Sequence, residues 1–176
     1  MTEQRETHWS GRFIAVHQQG RWEYVSRVRG IGAAVILAIE DAPDGRHVIL
    51  VEQYRVPLGA NSLELPAGLV GDLQEGETPE QAAAKELEEE TGYRADTLRD
   101  CGRFCSSPGL TSETFTLFRA TGLKKMGAGG GTEHENISVH RVALDKIEDF
   151  VEAKRSENCI IDVRILILLA AGLLKR

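Results

Sequence analysis

The chain has 176 residues, of which 41% are hydrophobic and 27% charged, enough for one globular domain with a sizeable core and a small appendage. A formal charge of −6 excludes a general nucleic-acid binder, because a phosphate backbone is gripped by a basic surface. It leaves room for a phosphorylated small molecule, provided that cations screen the carboxylates.

In chain order, the opening MTEQRETHWSGR lacks the apolar core of a signal peptide. Residues 13–17 (FIAVH) and 22–26 (WEYVS) read as two strands around a Gln19-Gly20 turn, a hairpin region over 1–30 ahead of a main domain over 31–176. Trp22 in that hairpin is as readily a core residue as a ring platform. Apolar runs at 33–39 and 48–51 flank the turn DAPDG and should supply a central sheet. Arg55 follows at a strand end, Leu63-Glu64-Leu65 alternates as a strand, and Pro66-Ala67-Gly68 turns the chain toward a helix. Beyond that helix, 102–107 and 114–120 read as strands separated by the turn segment SPGLTSE. Cys101, Cys105 and Cys159 are odd in number without zinc or redox spacing, and are expected reduced and at least half-buried. The run 124–132 has four glycines in five residues and is expected to be a flexible loop, since ordering glycine costs the most backbone entropy. Glu133-His134-Glu135 and a strand at 136–142 come next. Residues 145–154, with Ile147, Phe150 and Val151 inward, and 162–174 suit two helices. The apolar stretch 165–174 is far short of the ~20 residues of a membrane span, so a cytoplasmic protein with neither membrane nor nucleic-acid partner is expected.

The helix in the middle breaks local rules. Thr78-Pro79-Glu80-Gln81 is a capping box with proline at the first helical position, and Gly92 suits the left-handed residue that ends it. Between them lie about 13 residues, a rigid element of about 20 Å. Glu86, Glu89 and Glu90 stand at i, i+3 and i+4, so three negative charges share one face at the helix end whose dipole favours cations. On an arbitrary helix this is a solvated acidic face. In an element framed with such care it suits hard divalent cations, magnesium or manganese, which take carboxylate oxygens.

Gly71, Glu77 and Lys85-Glu86-Leu87-Glu88-Glu89-Glu90-Thr91-Gly92-Tyr93, with gaps of five and seven residues, resemble the signature of the Nudix hydrolases. Lys85 stands where the family usually has arginine; it keeps the charge but loses the two-pronged grip on a neighbouring glutamate. Pro66-Ala67-Gly68 also resembles the family's entry to this box. On that alignment the loop 69–76 is three residues longer than usual, Gly71 matches by spacing alone, and Ala67 and Gly68 are the structural equivalents. The resemblance implies an α/β fold, an α/β/α sandwich about a central mixed sheet.

RWEYVSR, EQYRVP and SPGLTSE, whose proline lies sixteen residues beyond Gly92, make the chain similar to the ADP-ribose pyrophosphatase branch. In that branch an aromatic residue stacks on adenine and a nearby arginine binds substrate, roles that fall on Trp22 and Arg27. Arg55 would contact a phosphate, Glu64 would help hold substrate, and Pro108, Gly109 and Leu110 would lie against it. Glu86, Glu89 and Glu90, with the Ala67 carbonyl and Glu135, would hold Mg2+ or Mn2+. Glu133 would take the proton of the attacking water, with Glu135 and Glu90 as the other catalytic carboxylates. The resemblance thus implies a nucleotide-sugar substrate, ADP-ribose giving AMP and ribose 5-phosphate, and a homodimer whose N-terminal parts exchange. GDP-mannose or another NDP-sugar as substrate, and a non-catalytic nucleotide sensor, are the alternatives.

Overall fold

At the N-terminus the chain forms a three-stranded antiparallel meander where a two-stranded hairpin was expected. The computed structural model describes residues 4–71, 76–132 and 135–174, and its meander comprises β1 (Arg5–Ser10), β2 (Ile14–Gln19) and β3 (Trp22–Arg27). RETHWS has no apolar alternation to mark β1 as a strand, and all six of its residues are exposed. Side chains tie the three strands together. His17, only 6% exposed, has Nδ1 3.0 Å from Thr7 Oγ1 on β1 and Nε2 2.7 Å from Ser26 Oγ on β3, so both ring nitrogens are satisfied.

The chain continues through β4 (Ala33–Ala42), β5 (Gly45–Arg55), β6 (Ala60–Glu64), β7 (Ala67–Leu69), α1 (Pro79–Thr91), β8 (Tyr93–Arg94), β9 (Thr97–Phe104) and β10 (Phe115–Thr121). It ends with β11 (Lys124–Lys125), β12 (Ser138–Ala143), α2 (Ile147–Ser156), β13 (Ile160–Ile161) and α3 (Leu166–Leu173). One mixed eight-stranded sheet runs in the order β13-β6-β5-β4-β10-β9, with β12 added to β5 and β7 to β4. The β10–β4 and β13–β6 pairs are parallel and the others antiparallel. Alternation along β4 serves both faces of this sheet. Val35 and Ile39 join Val151, Ile165 and Leu169 of the α2–α3 side, while Ala34, Ile36 and Ala38 join Ala82, Ala83 and Leu87 of α1. Alanine against alanine lets α1 sit low on the sheet. The layers are those of the expected α/β/α sandwich.

Helix α1 spans 13 residues as its caps predict: Thr78 accepts from the Gln81 N–H, the Gln81 side chain answers to the Thr78 N–H, and Gly92 closes the end at φ 70°. Other boundaries moved. The strand placed at 102–107 lies instead at Thr97–Phe104, because Gly102, at φ 103°, sits within it near the point where the register with β10 shifts. Of the cysteines, Cys159 is buried and Cys101 half-buried, but Cys105, beyond the strand end, is exposed.

The glycine run is the main correction. Residues 127–131 do not hang free; they wrap the C-terminus of α1. The N–H groups of Met126 and Gly127 donate to Gly92 O at 2.8 and 3.1 Å, Gly130 N–H to Glu90 O at 2.8 Å, and Gly131 N–H to Glu89 O at 3.0 Å. Gly129, at φ +73°, passes so close that a Cβ there would lie 2.7 Å from Glu90 O. Lys125 Nζ, 2.8 Å from Thr91 O, brings the cation that the last turn of α1 does not itself carry.

Candidate active site

The exposed flank of α1 forms one wall of a cleft of about 680 Å³, with Glu86, Glu89 and Glu90 on it and Glu135 and Ala67 at its border. Glu90 is only 4% exposed, and its Oε2 accepts from the Ala67 N–H at 3.0 Å. Burial pushes its carboxyl up to about 8, with the nearby Glu86 and Glu135 charges adding to the shift and the Ala67 N–H and Arg55 opposing it. Glu86 is also raised, chiefly by burial, with Glu89, Glu135 and Glu77 adding and Lys85 opposing. Lys85 Nζ stands 3.8 Å from Glu86 and 3.7 Å from Glu89, beyond hydrogen-bond reach, which is the looser geometry expected of lysine in this place.

The turn at 66–68 is built for close approach. A Cβ on Gly68 would overlap the Glu86 carboxylate, so glycine at 68 is what lets β7 pass against α1. Gly71 has its own part, its N–H donating to Glu77 Oε2 at 2.9 Å and so tying the start of the long loop to the residue before the N-cap. Residues 72–75 of that loop lie outside the described residues.

Among the described residues no three potential ligands are already gathered into a closed metal cage. The donor set nevertheless fits a hard divalent cation. Carboxylate oxygens are crowded in a partly desolvated cleft where their repulsion has no internal counter-charge of equal strength, and magnesium in particular binds through one or two carboxylates while keeping several waters.

The cleft is also bordered by arginines, each paired with a carboxylate, that were only partly foreseen. Arg55 meets Glu64 through Nε and Nη2, each 2.7 Å from a separate carboxylate oxygen. Arg164, which the sequence reading missed, reaches the same carboxylate at 3.3 Å and also forks onto Asp162 at 2.6 and 2.9 Å. Its signal was there: Asp162 and Arg164 are the charged pair in the apolar run IIDVRILILL. Arg27 also borders the cleft, its Nε donating to Glu113, a second residue that had not been singled out.

The expected substrate residues therefore divide into two places. Arg27, Arg55 and Glu64 line the cleft, whereas Trp22, Pro108 and Gly109 line a separate concavity of about 390 Å³ with Tyr24 and Thr111. Trp22 is 55% exposed, which rules out the core alternative for it. Leu110 borders neither; it is exposed, and its carbonyl accepts from the Val25 N–H at 2.9 Å. Glu135 is at the cleft, its Oε2 accepting from Thr132 N–H at 2.7 Å and Thr132 Oγ1 at 3.1 Å. Glu133 and His134 lie outside the described residues.

Comparisons with known proteins bear on the family and the fold. The NUDIX domain model matches residues 29–160. A methanol dehydrogenase activator of Bacillus methanolicus is 38% identical over 129 residues, 73% of this chain and 66% of that protein. An ADP-ribose pyrophosphatase of Bacillus subtilis is 38% identical over 128 residues, 72% of this chain and 66% of that protein. The chain thus spans just under two thirds of the length of these two relatives. The crystal structure of an ADP compounds hydrolase superposes with a TM-score of 0.69 at 23% identity, covering 99% of this chain and 94% of that one, and so shares the fold. With the domain model matched over residues 29–160, well over half of the chain, the chain belongs to the NUDIX domain family.

Proposed function

We propose that the protein hydrolyses the pyrophosphate bond of a nucleoside diphosphate sugar, ADP-ribose first among them, giving AMP and ribose 5-phosphate. The observation that carries this reading is the composition of one cleft: carboxylates of α1, with Glu90 buried among them, share its lining with arginines of β5 and of the segment after β13. A linear diphosphate is a ligand that needs both. Nudix hydrolases generally need a divalent metal. Magnesium, or manganese in its place, bound by Glu86, Glu89 and Glu90 with the Ala67 carbonyl would neutralise the diphosphate and stabilise the leaving phosphate.

The chain's own groups supply the rest. Arg55 and Arg27 hold anionic oxygens of the substrate through charge-assisted hydrogen bonds. Water attacks one phosphorus as the bridging P–O bond breaks, and its proton passes to a loop carboxylate, Glu133 or Glu135. Trp22, with Pro108 and Gly109, offers an exposed ring and a shallow concavity suited to a base. We place that concavity in the same site through a homodimer, since β1 is exposed along its whole length, Trp9 included, and Phe13 just after it is exposed too. Sedimentation would show a dimer; a monomer at micromolar concentration would remove this part of the reading.

Incubation with Mg2+ and a panel of ADP-ribose, GDP-mannose, other NDP-sugars and dinucleotides tests the whole. Equimolar AMP and ribose 5-phosphate are expected from ADP-ribose. Faster turnover of GDP-mannose would move the assignment to that substrate. Binding of the panel with no turnover would replace the enzyme by a sensor.

A further inference from the structure

We infer that Arg164 is a second anion-binding residue of the cleft, gripping the substrate's diphosphate beside Arg55, and that Glu64 is a positioning residue which holds both guanidiniums in place. This rests on the nucleotide-sugar reading above. Glu64 cannot itself serve the substrate: its side chain is 4% exposed, Oε1 is taken by Arg55 Nε, and Oε2 by Nη2 of both arginines. Three of its about four lone-pair sites are thus taken by the protein. Arg164 is fixed from three sides, by Asp162, by Glu64 and by the Phe115 ring, whose centroid is 5.8 Å from Cζ.

Each arginine spends Nε and Nη2 on carboxylates, and neither Nη1 bonds to a described residue. Both arginines border the cleft that Glu86 and Glu90 also line. Two guanidiniums fixed side by side on one carboxylate, in the lining of the cleft that also holds the α1 glutamates, match the non-bridging oxygens of a phosphate group, which accept such paired N–H donors. Because Arg164 acts on bound substrate and product alike, its loss belongs in binding more than in the chemical step.

The test is steady-state hydrolysis of ADP-ribose with Mg2+, and inhibition by AMP, for the parent chain, Arg164→Met and Arg164→Lys. For Arg164→Met, KM and the AMP inhibition constant should rise together by about tenfold or more, as expected for a lost charge-assisted contact. The kcat should stay within about threefold, and Arg164→Lys should recover part of the loss because charge returns without the fork. Unchanged KM and AMP inhibition in Arg164→Met would overturn the inference. So would equal losses in both variants that track a lowered melting temperature, which would make Arg164 a staple of the fold. Should the parent turn over no nucleotide sugar, the activity reading falls on its own. AMP binding by calorimetry, weakened by Arg164→Met or not, then still decides the role of Arg164.

Discussion

Glu90 gathers the electrostatics of the cleft into one carboxyl group. It is nearly buried and flanked by Glu86 and Glu135, which is why its proton is held up to about 8 even though the Ala67 N–H favours the charged form. Glu90→Gln keeps the volume and the acceptor for Ala67 N–H while removing the charge. Turnover should fall by about 10² to 10³-fold, the usual cost of losing one preorganised electrostatic group, while the circular dichroism spectrum and melting temperature stay at or above those of the parent. A variant as active as the parent would remove Glu90 from the site. At this scale the sequence was informative where partners are close along the chain: the i, i+3, i+4 glutamates of α1 were visible without a structure. It was mute about Arg27 with Glu113 and Arg164 with Glu64, because those partners are 86 and 100 residues apart and only the sheet order brings them together.

Among the elements, α1 was legible to the residue because its caps are local chemistry: a threonine hydroxyl, a proline and a glycine at set offsets. The glycine wrap was misread for the converse reason. Composition records only that glycine is costly to order, whereas its use here is close approach, a long-range property. The carbonyl ends of α1 need donors, the run 127–131 passes near enough to give them, and a side chain would block it. Two neighbouring glycines separate these accounts. Gly129→Ala puts a Cβ 2.7 Å from Glu90 O at φ +73°, and should cost about 1–3 kcal/mol in urea denaturation. Gly127→Ala meets nothing within 4 Å and has no left-handed φ, so it should change stability by less than about 0.5 kcal/mol. Equal effects at the two positions would mean that the run is the free loop its composition suggests.

For the molecule as a whole, the acidic wall is a cost that a bound cation must repay. Like charges held in a partly buried cleft disfavour the folded state, since the unfolded chain lets them separate. A cation that binds only the folded form stabilises it by mass action, by about 2.7 kcal/mol at a hundred times its dissociation constant. For a domain of this size each kcal/mol moves the melting temperature by about 2–4 °C, so saturating Mg2+ should raise it by about 5–11 °C over an EDTA-treated sample. Replacing Glu86 and Glu90 together by Gln relieves the repulsion and deletes the ligands at once. That variant should melt higher than the parent in EDTA and gain little from Mg2+, a reversal that a merely solvated acidic surface would not produce. Differential scanning calorimetry on both proteins, with and without the metal, separates the cases. An equal response of parent and variant to Mg2+ would place the cation elsewhere and take the acidic helix out of the function.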